Sequence, residues 1–274
     1  MSYSDYPFFE VEKDATTRVA HLYLNRPSAR NAMNWPYWRD LPLIVDELEA
    51  DPEVRVVIVA ARGKSFSTGL DLVDFFQEKK STFQAETADG REALQKMILE
   101  MQAGTNRMAE GQNIYIAAVH RHCIGGGLDL IAACDLRLAS KDASISLREA
   151  KVAIVADMGS LNRLPGIIGM GYTRLMAYTA RDFSAAECEK MGLLEQVFDS
   201  QAELMDGARA LAEEISANSS IAVRGTKQVL NYVADHSLDD SLKYVATWNA
   251  AFLDSKDLRE MFAAFTERRR PKFQ

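Results

Sequence analysis

Cys123-Ile124-Gly125-Gly126-Gly127-Leu128-Asp129-Leu130 is the stretch on which the fold reading turns. It follows Ile114–Val119, a continuous apolar run of the kind a strand shows when both its faces are buried, and it leads into a helical pattern over Leu128–Ala133. Three glycines at this junction remove three Cβ atoms. Backbone N–H groups at the helix N-terminus then stay free, and another group can approach them closely. A second stretch has the same context. Arg55–Ala61 reads as a buried strand, Lys64-Ser65-Phe66-Ser67-Thr68-Gly69-Leu70-Asp71-Leu72 as the loop, and a helix-like pattern starts from Asp71. Neither loop matches GxGxxG or a phosphate loop ending in Gly-Lys-Ser/Thr, so neither carries a nucleotide fingerprint. Two N–H donors from separate loops that converge on one point can instead hold the oxygen of an enolate.

Outward from these loops the chain keeps a mixed texture. Phe8–Glu12 and Val19–Leu24 alternate as paired strands, and Asn25–Pro27 ends the second. Trp35–Leu48 has helical spacing, with Pro36 tolerated in the first turn. Glu78–Gly90 is polar and reads as a mobile surface segment. Arg91–Met108 is helical, and Leu136–Ala139 is a further strand. From about Gln201, three or four amphipathic helical stretches run to Arg268 without a strand signal. The expected architecture is an α/β core over residues 1–200 and an all-helical region over 201–274.

Composition restricts the function classes. The 274 residues, 47% hydrophobic and 26% charged, suit one large domain or one with a small companion. Cys123, Cys134 and Cys188 are odd in number and lack CxxC spacing, which argues against a disulfide framework and a structural zinc site. His120 and His122 stand at i, i+2 with no acid or thiol ligand set beside them, so they read as structural or pocket-wall residues, and no metal is expected. No apolar run approaches the roughly 18 residues of a membrane span. Met1–Asp14 lacks a basic and an apolar signal region and carries Asp5, Glu10 and Glu12, while Lys272-Phe273-Gln274 differs from a Ser-Lys-Leu ending. The expected location is the cytoplasm. A net charge of −7 makes nucleic acid a poor expectation, the short run Arg268-Arg269-Arg270 being the main basic feature.

Three carboxylates follow the glycine run: Asp129, then Glu149 twenty residues on, then Asp157 eight beyond that. Each has an ordinary local reading. Asp129 can stabilise a helix N-terminus, and Asp157 can cap a helix over Met158–Leu164.

Together these residues carry a resemblance. FSTGLDL and GGGLDL, with Leu24-Asn25-Arg26-Pro27-Ser28-Ala29-Arg30-Asn31-Ala32-Met33 upstream and Arg269-Arg270-Pro271-Lys272-Phe273 at the end, resemble the enoyl-CoA hydratase/isomerase (crotonase) superfamily over nearly the whole chain. The resemblance implies a spiral of ββα turns with a C-terminal helical trimerisation region, and a homo-oligomer that is a trimer or a dimer of trimers. It places the two oxyanion donors at the N–H groups of Leu70 and Gly126. The Asp–Glu–Asp intervals resemble one branch, the Δ3,5-Δ2,4-dienoyl-CoA isomerases, as does Ser160-Leu161-Asn162-Arg163-Leu164-Pro165. Hydratases usually have Glu in place of Asp129 and no acid at Asp157.

Shifting a conjugated diene requires a proton to leave the carbon beside the thioester and another to arrive four carbons away, so two acids are wanted. By the resemblance Glu149 serves carbon 2 and Asp157 carbon 6, with Asp129 tuning or orienting Glu149. Carboxylates crowded in an apolar pocket repel, and at least one pKa rises. The resemblance also implies an acyl-CoA thioester bound by Arg26, Arg30, Ser67, Gly69, Asp71, Gly125 and Lys272, with coenzyme A as part of the substrate and no separate cofactor. Departures from the branch are Arg121 and His122 in place of small residues, Lys151 in place of an acid and Ala153 in place of glycine; a cation at Lys151 would lower the pKa of a nearby carboxylate. The alternatives are a 2-enoyl-CoA hydratase, in which Asp157 has no role, and an RNA-binding relative, which would need a basic stripe.

Overall fold

The computed structural model describes residues 3–273. Strand β1 (Phe9–Asp14) pairs antiparallel with β2 (Val19–Leu24), and every later pairing in the main sheet is parallel. The order is β1-β2-β3-β4-β6-β9, with β3 at Val56–Ala61, β4 at Ile114–Val119, β6 at Leu136–Ser140 and β9 at Gln196–Phe198. All residues of β3 and β4 are buried, as their unbroken apolar runs require of strands covered on both faces. Side chains alternate across the sheet. Val57, Val59, Tyr115 and Ala117 join one core with α1 (Trp35–Ala50), while Val56, Ile58, Ile114 and Ile116 join a second. That second core is closed by Leu204, Ala208 and Ala212 of α8 (Gln201–Ser216), so the first helix of the helical C-terminal part belongs to the packing of the sheet.

Between β3 and β4 run α2 (Leu72–Glu78), α3 (Lys80–Phe83) and α4 (Ala88–Glu110). The segment expected as mobile surface therefore holds a short helix. Its polar pattern hid Phe83, whose ring sits 5.6 Å from Phe75 and 4.7 Å from Phe76. A small second sheet, β5 (His122–Ile124), β7 (Ser144–Ser146) and β8 (Phe183–Ser184), stands beside the main one. Helix α5 (Gly126–Ala132) starts within the glycine run, two residues earlier than its periodicity suggests. Helix α6 (Ser160–Thr179) starts after Gly159, which has φ +113°, and is broken again at Gly169. Asp157 is thus not its N-cap; the left-handed backbone at Gly159 turns the chain only after Met158. Helix α7 (Ala185–Met191) returns the chain to β9. Beyond α8 come α9 (Ser220–Val233), α10 (Leu238–Phe252) and α11 (Lys256–Glu267), which expose Leu230, Leu238, Phe252, Phe262 and Phe265. Among the described residues no helix is long and apolar enough to cross a membrane.

Candidate active site

The two glycine loops meet. Ser67 is fully buried; its Oγ donates to the Asn31 carbonyl at 2.8 Å and accepts the Gly69 N–H at 3.1 Å, which fixes the first loop from inside. Gly69 has φ +82°, and a Cβ there would stand 2.6 Å from the Ile124 carbonyl and 3.6 Å from Gly126 N. Only glycine fits that crossing. On either side of Leu70, Met33 N–H donates to Gly69 O and Asp71 N–H to Met33 O. The Leu70 N–H, like that of Gly126 at the first position of α5, has no acceptor among the described residues. Both residues line one cavity of about 140 Å³.

The same cavity is lined by Asp129, Glu149 and Asp157, brought there from three separate stretches of the chain. Asp129, 2% exposed, rises from the first turn of α5, and its Oδ1 accepts the Ser160 N–H at 2.7 Å. It therefore serves the N-terminus of α6, an orphan donor of another helix, rather than only its own. Glu149 opens a 3-10 turn (Glu149–Val152) after β7. Its Oε2 is buried and lacks a hydrogen-bond partner among the described residues, and its Oε1 lies 2.9 Å from where a Cβ on Gly125 would be. Asp157 sits on the irregular segment 153–159 that leads to α6, its backbone carbonyl accepting Gln102 Nε2 at 2.5 Å.

Burial dominates the electrostatics. It pushes the Glu149 carboxyl up to about 7, with repulsion from Asp129 and then Asp157 adding to it. Burial also raises Asp129 to about 6 against the pull of the Ser160 hydrogen bond, and raises Asp157. A carboxyl that titrates near neutrality can work as a base or as an acid there. The cation expected to depress Glu149 does not: Lys151 is exposed on the far part of the turn, and burial decides the direction. Ala153 takes φ +60° where the resembling branch has glycine, a conformation that costs an L-residue roughly 1–2 kcal/mol.

The residues expected to hold the CoA handle divide. Gly69 and Gly125 line the cavity, whereas Ser67 shapes the loop behind it. Arg26 is spent inside the chain: its Nη1 donates to Asp71 Oδ2 at 2.6 Å and to Ala32 O at 2.9 Å, while Asp71 caps α2. This pair ties the Arg26 loop to the first glycine loop. Arg30 is exposed, with its carbonyl accepting Thr68 N–H. Lys272 is exposed on the tail, its N–H donating to Glu260, and lies outside the cavity lining of this chain. Arg269, the middle residue of the short basic run, pairs with Glu260 and Glu267. His120 Nε2 donates to the Gly63 carbonyl at 3.1 Å, and His122 Nδ1 and Ser65 Oγ share a hydrogen bond of 2.9 Å; neither histidine lines the cavity.

Trp38 of α1, Met101 of α4 and Arg148 also line the cavity. The helical pattern put Trp38 on the apolar face of α1, but a cavity wall and a packed core read alike in sequence. Gln102, which holds the backbone of Asp157, carried no signal at all.

The sequence profile of the enoyl-CoA hydratase/isomerase family matches residues 14–274. A peroxisomal Delta(3,5)-Delta(2,4)-dienoyl-CoA isomerase from Arabidopsis thaliana is 39% identical over 100% of this chain and 99% of its own. A mitochondrial protein of the same name from Dictyostelium discoideum is 38% identical over 99% and 92%. The crystal structure of an enoyl-CoA hydratase from Bacillus anthracis superposes with a TM-score of 0.87 at 29% identity, over 97% of this chain and 98% of that one.

Proposed function

The chain belongs to the enoyl-CoA hydratase/isomerase family, and from that premise we propose that it is a dienoyl-CoA isomerase converting 3,5-dienoyl-CoA to 2,4-dienoyl-CoA in β-oxidation. One observation carries the reading: a second acid, Asp157, lines the same cavity as Glu149 and the two free N–H groups. Glu149 takes a proton from carbon 2. The electron pair left behind delocalises into a dienolate whose negative charge sits largely on the thioester oxygen, where Leu70 N–H and Gly126 N–H hold it. Asp157 then delivers a proton to carbon 6. Two donors of this kind are each worth about 3–4 kcal/mol of transition-state stabilisation. Hydration would leave Asp157 without work, since both its acids act on one water beside the double bond.

The proposed substrate is an acyl-CoA thioester with no separate cofactor. The apolar residues exposed on α9–α11 support self-association into a trimer or a dimer of trimers as the proposed assembly, with the helical region from 201 as the part that joins copies. The cytoplasm is the proposed location; the names of the relatives place those proteins in peroxisomes and mitochondria. Parallel incubation with 3,5-dienoyl-CoA and 2-enoyl-CoA thioesters tests the activity. Formation of the 2,4-diene without hydration is the expected result, and hydration without isomerisation would refute it.

A further inference from the structure

Of the three acids, Asp129 stands on α5 and Glu149 opens a 3-10 turn, so each has secondary structure of its own beneath it. Asp157 has none, because residues 153–159 form neither helix nor strand. A short side chain on such a segment is aimed by wherever its Cα is held. The holding comes from outside. Gln102 Nε2 donates to the Asp157 carbonyl at 2.5 Å, and Arg163 Nη1 donates to the next carbonyl, Met158 O, at 3.5 Å. Arg163 Nη2 is itself anchored on Asn106 Oδ1 at 2.5 Å. Gln102 and Asn106 are four residues apart and so share one face of α4. The guanidinium also requires the glycine beside it: a Cβ on Gly159 would lie 1.9 Å from Arg163 Nη1. Beyond it, Ser160 N–H is fixed by Asp129. The charged groups acting on Arg163 are Asp129 of α5 and Glu110 of α4.

We propose that Gln102, Asn106 and Arg163 are positioning residues for the distal proton transfer alone: they clamp the backbone of Asp157 and Met158 so that the Asp157 carboxyl meets carbon 6, and they leave the chemistry at carbon 2 untouched. The inference rests on the isomerase reading and deepens it. In the proposed reaction the carbon 2 proton passes to Glu149 and its electron pair enters the dienolate. A loosened clamp lets that proton, or a solvent-derived deuteron, return to carbon 2 instead of one arriving at carbon 6. The mark of the clamp is therefore exchange without isomerisation.

The test uses the full chain in deuterated buffer with 3,5-dienoyl-CoA, following diene formation by absorbance and carbon 2 deuteration of unreacted substrate by mass spectrometry. Gln102→Met removes the donor at nearly constant volume, Asn106→Leu removes the anchor, and Asn106→Asp retains an oxygen for Arg163. A displacement of about 1 Å costs on the order of 100-fold. Gln102→Met and Asn106→Leu should lose isomerisation by about that factor, while KM and carbon 2 exchange stay near wild type and Asn106→Asp restores turnover. Wild-type rates in Gln102→Met and Asn106→Leu, beside an active wild type, overturn the clamp alone. So does an equal fall of exchange and isomerisation at unchanged thermal midpoint. A wild-type chain that makes no 2,4-diene overturns the isomerase reading, and this inference with it.

Discussion

Replacing Glu149 by glutamine should remove activity and, above neutral pH, make the protein relatively more stable. Glu149 carries an unpartnered buried oxygen and a carboxyl raised from its ordinary 4.5 to about 7. The folded state therefore binds this proton more tightly than the unfolded state does. The stability it contributes is fully present below the unfolded pKa and is lost as pH rises through the folded one. At about 1.4 kcal/mol per pH unit, the loss between pH 4.5 and above 7 is about 3 kcal/mol. Glutamine does not titrate and so loses nothing over this window. Its buried amide carries a desolvation cost of its own, about 1–3 kcal/mol, but that cost is the same at every pH. The informative quantity is thus the pH dependence of the difference between the two proteins, read from urea unfolding at several values between pH 5 and 8.5. Relative to wild type, Glu149→Gln should gain on the order of 3 kcal/mol across the window and level off above pH 8. Parallel stability curves would refute the claim that a desolvated carboxylate is stored in this cavity.

Asp157→Asn should abolish isomerisation while thioester binding by calorimetry stays close to wild type; unchanged turnover would remove Asp157 from the reaction. Gly126→Pro deletes one oxyanion donor, and a side chain there also meets Met33 Sδ at 2.8 Å. Its kcat should fall on the order of 100- to 1,000-fold, measured by the absorbance of the conjugated product, and normal kinetics would disprove the donor assignment. Asp129→Asn preserves an oxygen for Ser160 N–H but removes a negative charge that raises Glu149. The acidic limb of its kcat/KM–pH profile should move to lower pH than the wild-type limb, and a limb that stays put would show that burial alone sets the Glu149 proton affinity.

The parts of the fold legible in the sequence were those set by one local pattern. The near-continuous apolar run at Arg55–Ala61 and the continuous one at Ile114–Val119 read as strands covered on both faces, and β3 (Val56–Ala61) and β4 are buried throughout. In the candidate site, the two glycine loops were legible from their place between strand and helix, whereas the three acids stood out only through the resemblance of their intervals to the dienoyl-CoA isomerases; all of them line one cavity. What failed to show was anything set by a partner distant in sequence. Arg26 reads as a cation for phosphate until Asp71, forty-five positions on, takes its charge. Lys151 reads as a neighbour of Glu149, yet the turn carries it to solvent while desolvation raises Glu149. Phe83 stands in a polar stretch and finds its aromatic partners only after α3 forms.

Asp129 shows why a local reading of these acids could be correct in kind and wrong in address. Its place in the first turn of α5 favours a negative charge there, as the sequence suggests. Its oxygen, however, reaches across to Ser160 and starts α6 at the point where the clamped Asp157 segment ends. The same carboxylate also repels Glu149 and helps raise it to about 7. One side chain thus fixes the end of the segment that carries the distal acid and adjusts the proton affinity of the proximal one. The reach is short: Ser160 N–H donates to an aspartate oxygen at 2.7 Å, and the extra methylene of a glutamate would displace that oxygen. Side-chain length at position 129 therefore couples the placement of Asp157 to the protonation of Glu149. A two-acid reaction needs both, whereas a site working at one double bond needs neither acid placed four carbons away.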